Sequence, residues 1–230
     1  MIFETSLRAF HGDPEIKEKY LARIRAHAAA DEIVHGIYWQ NGKGCAVGCT
    51  VHSNKHSAYE TELGIPRILA KIEDNIFESL SNGRAKLWPE QFLEAPRVGA
   101  DLSMVWPQFA VWLLIDPQYG VIQFSKSKKA IQNVADAYQK IINKEVDNID
   151  WPKLRDAAYA AYAAYAAYAA AAAAADAAYA AYAAYAADAA YAYADAADAA
   201  YADAAAAAAA RQKFRNAQAD KLIELMEAAQ

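Results

Sequence analysis

The chain has 230 residues and a formal net charge of -5, with 56% hydrophobic residues. That length allows one ordinary core plus an extension, and the mild acidity disfavours phosphate-rich partners. Residues 1–150 carry 17 Lys and Arg against 19 Asp and Glu, and from Asp156 to Ala210 there are six Asp and no basic residue. Nucleic-acid binding is therefore not expected.

The N-terminus, Met1-Ile2-Phe3-Glu4-Thr5, has no basic stretch followed by an apolar run, so it does not read as a signal peptide. The longest apolar run, Val111 to Ile115, is far too short to span a bilayer. The two cysteines, Cys45 and Cys49, do not form a secreted disulfide framework. The chain reads as a cytoplasmic protein with no membrane partner.

Asp13-Pro14 predicts a helix start, since Asp caps free N–H groups and Pro at the first helical position gives up no needed bond. Ile16, Tyr20, Ile24, His27, Asp31 and Val34 then recur at helical spacing, and Gly36 is the expected stop. Residues 37–54 allow two readings. Asn41-Gly42 after Ile37-Tyr38-Trp39 suits a two-residue hairpin, whereas Cys45, Cys49, His52 and His56 are spaced to share a helix face.

Further on, Ile65, Ile68, Leu69, Ile72, Ile76 and Leu80 form a helical stripe opened by Pro66 and closed near Asn82-Gly83. Pro89 begins a short helix through Glu94. Asp101 is expected to cap an apolar helix to Ile115 that bends at Pro107, and Val121 to Phe124 to be extended. A helix after Ser127 places Ile131, Val134, Tyr138, Ile141 and Ile142 on one side.

From Lys153 to Gln230 there is neither Gly nor Pro, and Ala dominates, which predicts helix. Tyrosines at 159, 162, 165 and 168, then 179, 182 and 185, then 191, 193 and 201 follow a mainly three-residue step. Each successive one falls back by about 60° around a 3.6-residue helix, so they are expected to be unequally buried. The fold expected is all-α: a helical domain over 1–150 with a small hairpin near 37–52, then an Ala/Tyr-rich helical segment over 151–230 with a basic, amphipathic end. That end holds Arg211, Lys213, Phe214, Arg215 and Lys221. The Ala/Tyr/Asp-rich tract closing on Ala219-Asp220-Lys221-Leu222-Ile223-Glu224-Leu225 resembles the ends of uncharacterised bacterial and phage proteins. The resemblance covers roughly the last third of the chain and implies a bacterial or phage origin and no known activity.

One constellation has the residue types of a chemical site. His27, Asp31 and His35, with Glu32 beside them, precede Cys45, Cys49, His52 and His56. Imidazole and thiolate suit zinc, and helix bundles can aim such ligands inward. These seven residues are the candidate metal ligands, and Cys49 with His52 or His56 the candidate nucleophile and base. Without metal the same residues make a structural polar network, with His27, Asp31 and one of His52 or His56 in hydrogen-bonding reach. The leading expectation is a non-enzymatic interaction or assembly protein, such as a phage accessory protein or immunity-type binder, with no cofactor and with a protein partner or a second copy. The alternative is a small zinc-dependent hydrolase.

Overall fold

The computed structural model describes residues 7–125, 128–145, 149, 150, 153, 154 and 204–230. Among them are nine α-helices and one two-stranded antiparallel hairpin, so the fold is all-α with a hairpin of minimal size. The chain divides into two compact units, Met1–Val105 with Ala219–Gln230, and Trp106–Gln218.

In the first unit, α1 (Pro14–Ala29) starts as its sequence dictates, the Asp13 carboxylate accepting the Glu15 N–H at 2.8 Å. It stops at Ala29 and not at Gly36. Asp31 turns into the left-handed region, φ 55°, and residues 32–34 run extended beside the hairpin. Gly44 N–H donates to the Glu32 carbonyl at 3.0 Å, and Val34 N–H to the Gly44 carbonyl at 2.8 Å. Non-local backbone pairing therefore replaces the last turns of the periodic stripe, and Asp31, expected on its buried face, is exposed.

The hairpin pairs β1 (Trp39–Gln40) with β2 (Lys43–Gly44). Asn41 and Gly42 both take positive φ, 52° and 81°, the pair of conformations a right-twisted two-residue turn requires. Helix α2 (Ala46–Val51) follows and is buried throughout. It can lie against the hairpin because Gly48 has no side chain: a Cβ there would stand 1.4 Å from the Tyr38 carbonyl oxygen. The chain over 37–54 is thus hairpin and then helix, each ambiguous reading holding for part of it.

Helix α3 (Ala58–Leu63) ends on left-handed Gly64, and α4 (Arg67–Ser79) buries Leu69, Ile72, Ile76 and Phe77 together with Glu73 and Asp74. After the short α5 (Asn82–Ala85), α6 (Trp88–Glu94) buries Trp88, Phe92 and Leu93. The Trp88 indole donates to the Glu73 carbonyl at 3.0 Å.

Helix α7 (Val105–Ile115), which belongs to the second unit from Trp106 on, starts only two residues before Pro107, so the proline sits in the first turn, where its missing N–H costs no helical bond. Residues 121–123 form a single 3-10 turn where extension was expected. Of the predicted stripe of α8 (Lys128–Ile142), Ile131, Val134 and Tyr138 are buried against Ala110 and Leu114, while Ile141 and Ile142 are half-buried.

Helix α9 (Ala204–Ala228) ends the chain. Its part in the second unit stacks Phe214 on Trp112, ring centroids 6.4 Å apart, and places Arg215 in hydrogen-bond contact with Gln218 at 3.2 Å. Its part in the first unit buries Ala219, Leu222 and Met226, and the Gln230 carbonyl accepts the Asp101 N–H at 2.8 Å. The expected helix is therefore present over Ala204–Ala228, whereas the tyrosine tract, 155–203, and its expected uneven burial lie outside the described residues.

Candidate functional site

Two polar groupings stand at opposite ends of α2. At its C-terminal end, His52 occupies the capping position in a left-handed conformation, φ 52°. Its Nε2 lies 2.8 Å from His27 Nε2, which arrives from the last turn of α1. The other His27 nitrogen, Nδ1, is 2.7 Å from Glu32 Oε2. A proton on Nδ1, held toward the carboxylate, leaves His27 Nε2 as acceptor, and His52 then carries its proton on Nε2. The Trp39 ring stacks on His52 with centroids 4.4 Å apart and planes 10° from parallel. Partial burial, then the charges of Arg23 and His27, push the His52 pKa down from its usual value, so the neutral ring is favoured. The arrangement Glu32–His27–His52 is able to orient a neutral imidazole and to pass a proton along its axis.

At the N-terminal end of α2 the capping residue is Cys45, whose sulfur accepts the Gly48 N–H at 3.5 Å. Asp74 and Glu78, one turn apart on α4, meet it there: one donor atom from each of the three lies within 4.8 Å of the others. His56 Nε2 contacts Asp74 Oδ2 at 3.2 Å, while Asp74 Oδ1 is buried with no hydrogen-bond partner. Both Glu78 oxygens accept the Gly36 N–H, at 3.0 and 2.9 Å. Burial, reinforced by the Asp74 charge, pushes the Cys45 thiol well up from its ordinary value and raises the Glu78 carboxyl. Deeper in, Glu73 is fully buried and neither carboxyl oxygen has a hydrogen-bond partner. Desolvation raises its pKa far above the usual carboxylate range, and the buried Tyr59 hydroxyl opposes that rise only in part.

The remaining sequence-predicted residues are spread around these groups. Asp31 is ion-paired with Lys86 on the surface and so does not join His27 and His52. His35 Nε2 donates to the Phe77 carbonyl at 3.0 Å and, with Asp31 and Lys86, lines an open hollow of about 250 Å³. Cys49 is buried, its thiol donating to the Gly44 carbonyl at 3.3 Å, and burial pushes it up to about 12. Of the seven candidates, then, the structure brings His27 and His52 together and sets Cys45 and His56 around a different partner, Asp74. The sequence reading missed Asp74, Glu78 and Glu73. A signal was present: Glu73 falls between Leu69 and Ile76 on the apolar stripe of α4, where a carboxylate must either find a partner or stay protonated.

No helix among the described residues is long and apolar enough to cross a membrane. No family model matches the chain, and neither a curated protein nor a solved structure matches it.

Proposed function

We propose that the chain is a non-enzymatic interaction or assembly protein, of the kind a phage accessory or immunity-type binder represents, and that its first partner is a second copy of itself. The observation that supports this reading most is a pair of uncovered neighbours at the entrance to the hairpin, Ile37 at 40% and Tyr38 at 50% exposure. Tyrosine is among the residue types that anchor protein interfaces, and covering what remains open of two half-exposed side chains stabilises a complex by about 1 kcal/mol each. The Ala/Tyr-rich, weakly charged composition of 157–201 supports it too, because sequences of that kind favour association.

Light scattering over a concentration series tests the proposal. Its expected result is a mass rising above the monomer's 25.1 kDa, shifted at least about tenfold in concentration by Ile37→Ser with Tyr38→Ser. A monomer at every concentration, together with no adduct from a photo-crosslinker at position 38 in the purified protein or in host extract, overturns it. The second reading, a zinc-dependent hydrolase, draws its support from the three convergent donor atoms at Cys45, Asp74 and Glu78. Its first requirement is metal binding.

A further inference from the structure

We infer that Cys45, Asp74 and Glu78 form a binding site for one zinc-like divalent cation. Three observations carry the assignment. The donor atoms converge from two elements, the cap of α2 and one face of α4, to within 4.8 Å of one another. Ligand atoms around tetrahedral zinc stand somewhat closer, so small side-chain rotations complete the site. Next, Asp74 is only 8% exposed and its Oδ1 is buried without a hydrogen-bond partner. Its polar neighbours are the Cys45 thiol and the Tyr38 hydroxyl, and a cation is a stronger partner for a buried carboxylate than either. Finally, the carboxylates are tethered, Asp74 Oδ2 by His56 Nε2 and both Glu78 oxygens by the Gly36 N–H, outer contacts of the kind that keep metal ligands oriented.

The donor set chooses the ion. One thiolate and two carboxylates suit zinc, or cobalt as its substitute, better than magnesium or calcium, which take oxygen ligands alone. The exposed Glu78 marks the way in. Binding converts the Cys45 thiol to thiolate, releasing its proton to solvent as the metal–sulfur bond forms. Three protein ligands leave a fourth position for water, which is what the second functional reading needs, but the site stands without any catalysis.

The test uses the full chain and cobalt(II), read by the near-ultraviolet thiolate-to-cobalt band, with zinc competition and equilibrium dialysis for stoichiometry. One equivalent with the band is expected. Cys45→Ser removes the band, and Asp74→Asn and Glu78→Gln each weaken binding by at least tenfold. Because Glu78 is exposed, its variant keeps the test valid should a buried substitution unfold the chain, which circular dichroism reports. Cys49→Ser and His27→Ala leave binding unchanged. Absence of stoichiometric binding, survival of the band in Cys45→Ser, or loss of metal with His27→Ala in place of Glu78→Gln overturns the inference.

Discussion

The two ends of α2 both gather polar groups, two histidines and Glu32 at one and Cys45, His56 and three carboxylates at the other, yet they solve opposite physical problems. At the His52 end each polar atom in contact has a partner: Glu32 holds His27, His27 meets His52, and Trp39 covers the ring. His52 is exposed, so its ring stays open to solvent. At the Cys45 end the groups are more buried and incompletely paired, with Asp74 Oδ1 and both Glu73 oxygens left over. The same residue types are thus a relaxed surface network in one place and a source of conflict in the other. The difference is desolvation: exposed partial charges cost little, whereas buried ones must be matched, neutralised or offset by an ion.

The strongest way to break the comparison is at the contact that creates the buried end. Gly48→Ala puts a Cβ 1.4 Å from the Tyr38 carbonyl oxygen, so the hairpin and α2 cannot both keep their places. A loss of about 3 kcal/mol or more is expected in denaturant melts, and an unchanged midpoint would show that the hairpin yields freely.

Glu73 provides a second and opposite effect. Its folded-state pKa lies well above its ordinary value of 4.5, so the folded chain retains a proton that the unfolded chain releases. The stability is therefore whole below about pH 4.5 and declines as pH rises from there toward the raised value. Glu73→Gln removes this titration, and about 1–3 kcal/mol of stabilisation is expected at pH 8, vanishing near pH 4. Parallel pH profiles for the two proteins would mean that Glu73 is not buried as described.

At the exposed end the sign reverses and the size falls. The His52 pKa is lowered in the fold, so the unfolded chain gains a proton first as pH drops below about 6.5, and stability falls there. Solvent screening limits this to less than about 1 kcal/mol. His52→Gln should flatten the profile between pH 7 and 5; a slope retained in the variant assigns it to another group.

The smallest effect is expected at Asp31. Its carboxylate is held below the usual range by Lys86, but the pair lies open to water. Thermal melts of Asp31→Asn and wild type should superimpose, whereas a clear shift would give that surface pair a structural role it is not expected to have.

Much of this was legible from local rules. Asp13-Pro14, the Asn41-Gly42 turn and the stripes of α4 and α8 each follow from chemistry within a few residues of one another. So does the Ala-rich helix over its described part, Ala204–Ala228. The approach of His27 to one of the later histidines was also foreseeable, as two polar positions near the ends of neighbouring elements.

What the tertiary structure alone decided are matters of long-range competition. The periodic run through Asp31 and Val34 was helical by spacing, but backbone pairing with Gly44 took residues 32–34 away and turned Asp31 outward to Lys86. Likewise, the spacing of Cys45, Cys49, His52 and His56 said nothing of Asp74 and Glu78, which lie some thirty residues on and reach Cys45 only because α4 folds against α2. Local sequence determines which conformations and faces are cheap. Which buried groups are forced to share one volume is settled by packing, since the cost of desolvation depends on every neighbour at once.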